Sequence, residues 1–221
     1  MSTSLIITAD KSPTLLNEQT GEYYHSMHGA YTESMVVFIN NGLKPLLTSL
    51  PAINIFEMGL GTGLNALLTY DHTGEIPVYY EALEAFPVKE EIIKILTYKT
   101  LAVNKACDSF FEKLHSSPWE VEVDLSPAFT LCKHRADLLN FQVRPHYFDL
   151  IYFDAFSMVV QPELWTEDVF HRMFLALRPG GVLVTYSARG AVKTALRKVG
   201  FVVERLPGPP GKRHVLRAKK S

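Results

Sequence analysis

The chain is poor in the features that would assign it quickly. Only two cysteines occur, Cys107 and Cys132, in different expected elements and without a histidine at zinc-ligand spacing, so both read as buried free thiols and no metal is expected. The eight histidines show no ligand spacing either; His25, His28 and His214 read as surface or hydrogen-bonded residues. Neither sign of charge is in excess. Lysine and arginine number 22 against 23 aspartate and glutamate, a net charge of -1, so no global field draws the protein onto nucleic acid or an anionic membrane. Any RNA contact must come from a local patch. Charges interrupt every apolar stretch before it is long enough to span a bilayer. The first ten residues lack both the basic start and the sustained apolar run of a signal peptide. A cytoplasmic protein is the expectation, and no repeat or low-complexity segment complicates it.

Hydrophobic residues make up 47% of the 221, enough to bury one substantial core and little more. We expect an N-terminal extension over residues 1–50 and a main domain over 51–221. In the extension, the turn signals Asp10-Lys11-Ser12-Pro13 and Thr20-Gly21 predict a small hairpin. A helix follows from Thr32 to Leu47, with Asn41-Gly42 and Pro45 predicting a break near its end. From Asn54 onward, short apolar runs alternate with amphipathic segments, which marks βαβ units and a mostly parallel sheet.

The runs Ile53 to Met58, Val78 to Glu84, Phe129 to Arg135, Phe148 to Phe153 and Val182 to Tyr186 are the expected core strands. Helices are expected around Leu64 to Tyr70, Val88 to Leu96, Asn104 to His115, Pro162 to Leu177 and Ala188 to Val199. Finally Gly200 to Leu206 and Arg213 to Arg217 flank a Pro-Gly turn and predict an antiparallel hairpin closing the sheet. The expected fold is therefore α/β and Rossmann-like.

The first core strand ends in Glu57-Met58-Gly59-Leu60-Gly61-Thr62-Gly63 and opens a helix. Glycines there let the backbone pass close to a ligand that a Cβ would strike, and the new helix offers its N-terminus. A dinucleotide enzyme would place its third glycine at the sixth position, where this chain has Leu64, so the turn favours S-adenosylmethionine. Glu84, at the end of the second strand, is positioned to accept hydrogen bonds from ribose hydroxyls. Its bland alternative is an exposed strand-end acid, and Glu81 is a competitor placed inside the strand. Asp137 ends the third strand, where it would meet an adenine amino group or cap a helix.

The fourth strand delivers Asp154-Ala155-Phe156-Ser157 at its carboxyl end, the edge at which open α/β sheets bind ligands. Methyl transfer to nitrogen is an in-line displacement, in which a carboxylate can orient the amine and take its proton. Asp154 is the candidate for that role, with a cap or an arginine partner as the alternative. Phe156 and Trp165 would stack on a flat base or belong to the core.

These residues resemble the methyltransferase domain of the MnmC family, which modifies the wobble uridine of certain tRNAs. The resemblance runs through Glu57-x-Gly59-x-Gly61-Thr62-Gly63-Leu64-Asn65, Glu84-x-Phe86-Pro87, Phe153-Asp154-Ala155-Phe156, Pro162-Glu163-Leu164-Trp165-Thr166, Arg178-Pro179-Gly180-Gly181 and Gly211-Lys212-Arg213. Tyr24-His25-Ser26, Gly29-Ala30 and Thr32-Glu33-Ser34 resemble that family's N-terminal extension, which makes the extension part of the enzyme. It implies cofactor contacts from Glu57, Gly59, Gly61, Thr62, Gly63, Asn65, Glu84, Asp137 and Asp154. It also implies methylation of an aminomethyl group on uridine, with the precursor supplied by a separate oxidoreductase. The chain departs from the family pattern at Ser157-Met158-Val159-Val160-Gln161, where a proline and often a lysine are usual.

The one dense basic stretch, Lys212 to Lys220, with Arg189, Lys193, Arg197 and Lys198 near it in sequence, would meet tRNA phosphates or form a solvated end. Lys212 and Arg213 gain most from the resemblance. Three rival functions remain. An aminopropyltransferase of the spermidine synthase kind would want more acids around its pocket to hold a polycation, and Ala155, Phe156 and Ser157 after Asp154 count against it. A non-catalytic RNA-binding or partner-binding module would have no use for the glycine turn together with Glu84 and Asp154. A nicotinamide dehydrogenase is weakened by Leu64.

Overall fold

The apolar runs become the middle of a sheet that is covered on both faces. A computed structural model describes residues 3–98 and 106–221. Strands β1 (Thr3–Ile7), β2 (Pro13–Asn17) and β3 (Glu22–Tyr23) form a small antiparallel sheet in that order. A helical run follows, made of α1 (Ala30–Ser34), a π-helical stretch (Met35–Leu43) and α2 (Lys44–Leu47).

The main sheet then alternates strand and helix: β4 (Ile53–Met58), α3 (Leu64–Thr73), β5 (Val78–Leu83), α4 (Glu90–Ile95) and α5 (Cys107–Ser116). Next come β6 (Glu122–Ser126), β7 (Phe129–His134), β8 (Phe148–Phe153), a 3-10 turn (Pro162–Trp165), α6 (Glu167–Ala176) and β9 (Leu177–Thr185). Helix α7 (Gly190–Lys198), β10 (Val202–Pro207) and β11 (His214–Lys219) complete it. The eight strands lie in the order β10-β11-β9-β8-β4-β5-β7-β6. The five expected strands are its parallel centre, and the C-terminal hairpin closes one edge with β11 against β9.

Successive side chains in a strand point to opposite faces. In β8, Leu150 and Tyr152 join the core that carries the 30–47 helical run, α3 and α5, whereas Ile151 and Phe153 join the core under α6 and α7. Both faces are thus apolar, and the strand reads as a continuous hydrophobic run rather than an alternating one.

Three details differ from expectation. The helix over 30–47 does not break at Asn41-Gly42; its turns widen to π-helical spacing and continue. Gly42 is there for contact, since a Cβ would stand 2.9 Å from Val184 Cγ2 on the sheet. Pro45 falls in the first turn of α2, where a proline is tolerated. Strand β6 was not expected. It pairs antiparallel with β7 at the sheet edge, and its charged residues Glu122 and Asp124 suit an edge strand while hiding its pattern. The helix expected from Asn104 begins at Cys107, and residues 104 and 105 lie outside the described residues. No helix among the described residues is long and apolar enough to cross a membrane.

Candidate active site

Strand order reverses beside β4: the chain moves from β4 through β5 to β7 on one side, then through β8 to β9 on the other. The carboxyl ends of β4 and β8 are therefore neighbours at the switch point of the sheet, where such folds bind ligands. The Asp154 amide donates to Met58 O at 3.0 Å, which fixes the acid beside the glycine turn. A Cβ on Gly59, whose φ is +90°, would lie 2.5 Å from the Asp154 carbonyl oxygen. Gly59 is required by the neighbouring strand end, before any ligand is considered. A Cβ on Gly63 would strike Leu114 Cδ2 at 2.5 Å, and Gly63 does not reach the cavity wall. Gly61, at φ +53°, has only the Tyr24 ring near it and presents its backbone to the cavity.

That cavity, about 280 Å³ in volume, opens between the turn, the ends of β5, β7 and β8, and the N-terminal extension. On one side Glu84 accepts hydrogen bonds from Gly61 N at 2.9 Å and Phe86 N at 2.8 Å. Burial raises its pKa and these donors oppose the rise. Asp137 lines the same end; it caps a turn by accepting from Leu139 N at 2.9 Å, and no helix follows it. Below the turn, Thr62 accepts from the buried Tyr98 hydroxyl at 2.9 Å, and His115 Nε2 lies 3.2 Å from Thr62 O. These braces hold the turn from the core side.

Asn65, in the first turn of α3, joins two acids. Its Nδ2 donates to Glu57 Oε1 and to Asp154 Oδ2, both at 3.0 Å. Glu57 is fully buried and does not line the cavity; it acts on the site through Asn65, which does. Burial raises the Glu57 pKa well above the ordinary carboxylate value, against hydrogen bonds from Asn65 and Tyr80. Burial also pushes Asp154 up to about 7; Glu33 adds to the rise, while Asn65 and Lys212 oppose it. The outcome is one acid pushed toward its neutral form, one acid poised near neutrality and an amide between them. Asn65 Oδ1 is a buried acceptor without a hydrogen-bond partner among the described residues.

The extension forms the opposite wall. Glu22 accepts from Ser157 N with both oxygens, at 3.0 and 3.2 Å, and the Tyr24 ring meets Phe156 edge-on at 5.1 Å. His25 is bonded to Thr14 Oγ1, and burial lowers its pKa to about 4, which leaves it neutral. Glu33 accepts from Ser26 N at 2.7 Å and forms an ion pair with Lys212, whose Nζ sits 4.0 Å above the Tyr186 ring. Sequence reasoning placed the extension in the enzyme without identifying Glu22, Glu33 or Tyr186. The one available signal was the resemblance around Thr32-Glu33-Ser34.

Other expected site residues are placed differently. Trp165 is buried in the core against Phe153 and Phe170 and does not line the cavity; its Nε1 donates to Phe156 O at 2.8 Å and so supports Phe156, which does. The basic stretch is not a free patch. Lys212 is paired as above, Arg217 binds Glu204, and the buried Lys220 donates to Phe174 O and Leu177 O, each at 2.7 Å. Arg213 stays exposed. The shortage of acids expected from the residues after Asp154 is also overturned: Glu22, Glu33, Glu84, Asp137, Asp154 and Glu163, six in all, line the cavity. No group of three or more potential metal ligands occurs among the described residues.

A family model described as S-adenosyl-L-methionine-dependent methyltransferase matches residues 106–221. The tRNA 5-methylaminomethyl-2-thiouridine biosynthesis bifunctional protein MnmC of Paracidovorax citrulli is 28% identical over 93% of this chain, and that of Legionella pneumophila is 28% identical over 96%. The chain spans 34% and 36% of the length of these two curated relatives. Among solved structures, MnmC2 from Aquifex aeolicus superimposes with a TM-score of 0.82 at 26% identity, covering 98% of this chain and 70% of that one. Spermidine synthase from Thermotoga maritima gives 0.61 at 14% identity, covering 99% and 69%, which is a likeness of fold alone.

Proposed function

The chain belongs to the family of S-adenosyl-L-methionine-dependent methyltransferases, and we propose that it methylates the primary amine of an aminomethyl group on the wobble uridine of tRNA. The acceptor follows the names of the relatives that match nearly the whole chain, in which a methylaminomethyl-uridine is made. The observation that carries the chemistry is Asp154, held beside the glycine turn with a pKa near 7.

The residues present fit the cofactor. Glu84 would hold ribose hydroxyls, and Leu83, Phe86, Ala136 and Leu138 on the cavity wall offer apolar surface to an adenine. The partnerless Oδ1 of Asn65, on the cavity wall, supplies an acceptor for a cationic amino acid end. The cofactor, when bound, supplies a sulfonium methyl group.

The protein's part is to present a neutral amine in line with that methyl group. An aminomethyl group reaches the site largely as an ammonium, with no lone pair to give. Asp154 takes one proton from that nitrogen, and a carboxylate with a pKa near 7 is a competent acceptor at neutral pH. The lone pair so freed would face the methyl group that the bound cofactor supplies, with Asp154 holding the proton. Phe156, backed by Trp165 and Tyr24, offers a flat surface for the uracil ring. A separate oxidoreductase activity would supply the aminomethyl precursor.

Incubation with labelled S-adenosylmethionine and tRNA from cells lacking this methylation tests the proposal. Label in the wobble uridine is the expected result; its absence there removes the substrate assignment. Calorimetry with the cofactor alone tests the binding roles, since Gly61→Val should abolish binding.

A further inference from the structure

Lys212 is the sole lysine or arginine among the described residues lining the cavity, and its place is fixed from several sides. Its backbone lies in the turn between β10 and β11, where Lys212 N donates to Pro209 O. That turn is packed closely: a Cβ on Gly208 would lie 2.2 Å from Lys212 O, and one on Gly211 would lie 2.1 Å from the His28 ring. The side chain then runs inward to Glu33 and the Tyr186 face, and the Tyr186 hydroxyl donates to Ala155 O at 2.9 Å, next to Asp154. A phosphate contact would require Lys212 to leave Glu33, a carboxylate only 8% exposed, and an unpaired buried charge is costly.

We propose that Lys212 is a fixed internal cation of the acceptor cavity, which keeps Asp154 ionised and the acceptor amine neutral, instead of an anchor for RNA phosphate. This rests on the amine-methylation reading above. The groups facing this region support it. His25 and Tyr186 are neutral, and burial pushes Glu57, behind Asn65, toward its neutral form. Asp154 and Glu33 are left as the coupled acids, while Glu22 on the wall and the exposed Arg189 outside it act on Tyr186. Without Lys212, Glu33 would bear an unbalanced negative charge beside Asp154. That charge would favour protonation of both Asp154 and the amine, and either protonation stops attack. Lys212 touches neither reacting atom in this account and is a positioning residue.

The test compares wild type, Lys212→Met, Lys212→Arg and the double variant Lys212→Met/Glu33→Gln. The pH profile of kcat/KM with hypomodified tRNA is measured for each, and cofactor affinity by calorimetry. Lys212→Met should move the acid limb of the profile upward by about one pH unit or more. Lys212→Arg should leave the limb near its wild-type place. The double variant, with both charges removed, should return it most of the way. A raised KM with an unmoved limb in Lys212→Met, or no return in the double variant, overturns the inference and leaves Lys212 as an RNA contact or a structural brace. An inactive wild type with bound cofactor would instead defeat the acceptor assignment, which keeps the two failures distinct.

Discussion

Asp154→Asn separates the cost of a buried charge from its use. Burial lifts the Asp154 carboxyl from 3.8 to about 7. Between those values the native protein holds a proton that the unfolded chain has released. Stability falls with rising pH wherever the native state binds more protons, so this contribution is whole near pH 4 and is lost as pH climbs through 7. A rise of that size corresponds to about 4 kcal/mol, and the partial exposure of Asp154 reduces the expectation to about 2 kcal/mol through solvent screening. Asparagine keeps the shape, can still accept from Asn65 Nδ2, and cannot ionise. Asp154→Asn should therefore be more stable than wild type by about 2 kcal/mol at pH 8.5 and equal to it near pH 4, read from urea unfolding at the two pH values. Turnover should fall at least about a hundredfold while cofactor affinity changes little. Equal stability at both pH values would show that Asp154 is not desolvated in the native state, and its use as a base near neutrality would lose its foundation.

Three further substitutions probe the supports of the site. Gly59→Ala adds a Cβ at φ +90° and 2.5 Å from the Asp154 carbonyl, for about 3 kcal/mol, whereas Gly21→Ala, at φ +71° with nothing within 4 Å, should cost only about 1 kcal/mol. Similar unfolding midpoints for the two would mean that the close approach of the strand ends is not rigid. Trp165→Phe removes the donor to Phe156 O and should cost about 1–2 kcal/mol while raising KM for tRNA and sparing cofactor affinity; an unchanged KM would detach Trp165 from the acceptor wall. Glu22→Gln weakens the tether from the extension to Ser157 N, and hydrogen exchange at the 157–161 loop should quicken without a change at β8. Unaltered exchange would show that the loop holds itself.

The sheet was legible in the sequence because its information is local and periodic. Short apolar runs between amphipathic segments locate each central strand, and Gly59-x-Gly61-x-Gly63 marks the switch point by its spacing. What could not be read was partner choice across long separations. Glu22 meets Ser157, Glu33 meets Lys212, and Trp165 reaches back to Phe156 rather than outward to a base. None of these pairings leaves a periodic trace, since each joins residues from elements that the fold alone brings together. The pairing of the basic tail was hidden for the same reason: strand pairing sets Arg217 opposite Glu204, and Lys220, just past β11, turns into the core. Glu57 is a mixed case. Its place in the motif was plain, and its separation from the cavity by Asn65 was not.

A wall of six carboxylates would ordinarily favour a polycation, and the likeness of fold to spermidine synthase raises that question directly. The hydrogen bonds answer it. Glu22, Glu33, Glu84 and Asp137 each accept from backbone N–H groups, at Ser157, Ser26, Gly61 with Phe86, and Leu139 respectively. Their charge is taken up in closing the extension, the acceptor loop and the cofactor turn around the cavity. Glu33 is further balanced by Lys212, a cation that would repel a second amine along the same wall. Glu163 is exposed on the 3-10 turn, and Asp154, bonded through Asn65 at the meeting point of β4 and β8, is the acid whose burial poises it to change its protonation near neutrality. A site with one such acid suits one nitrogen and one proton, which is the stoichiometry of a single amine methylation.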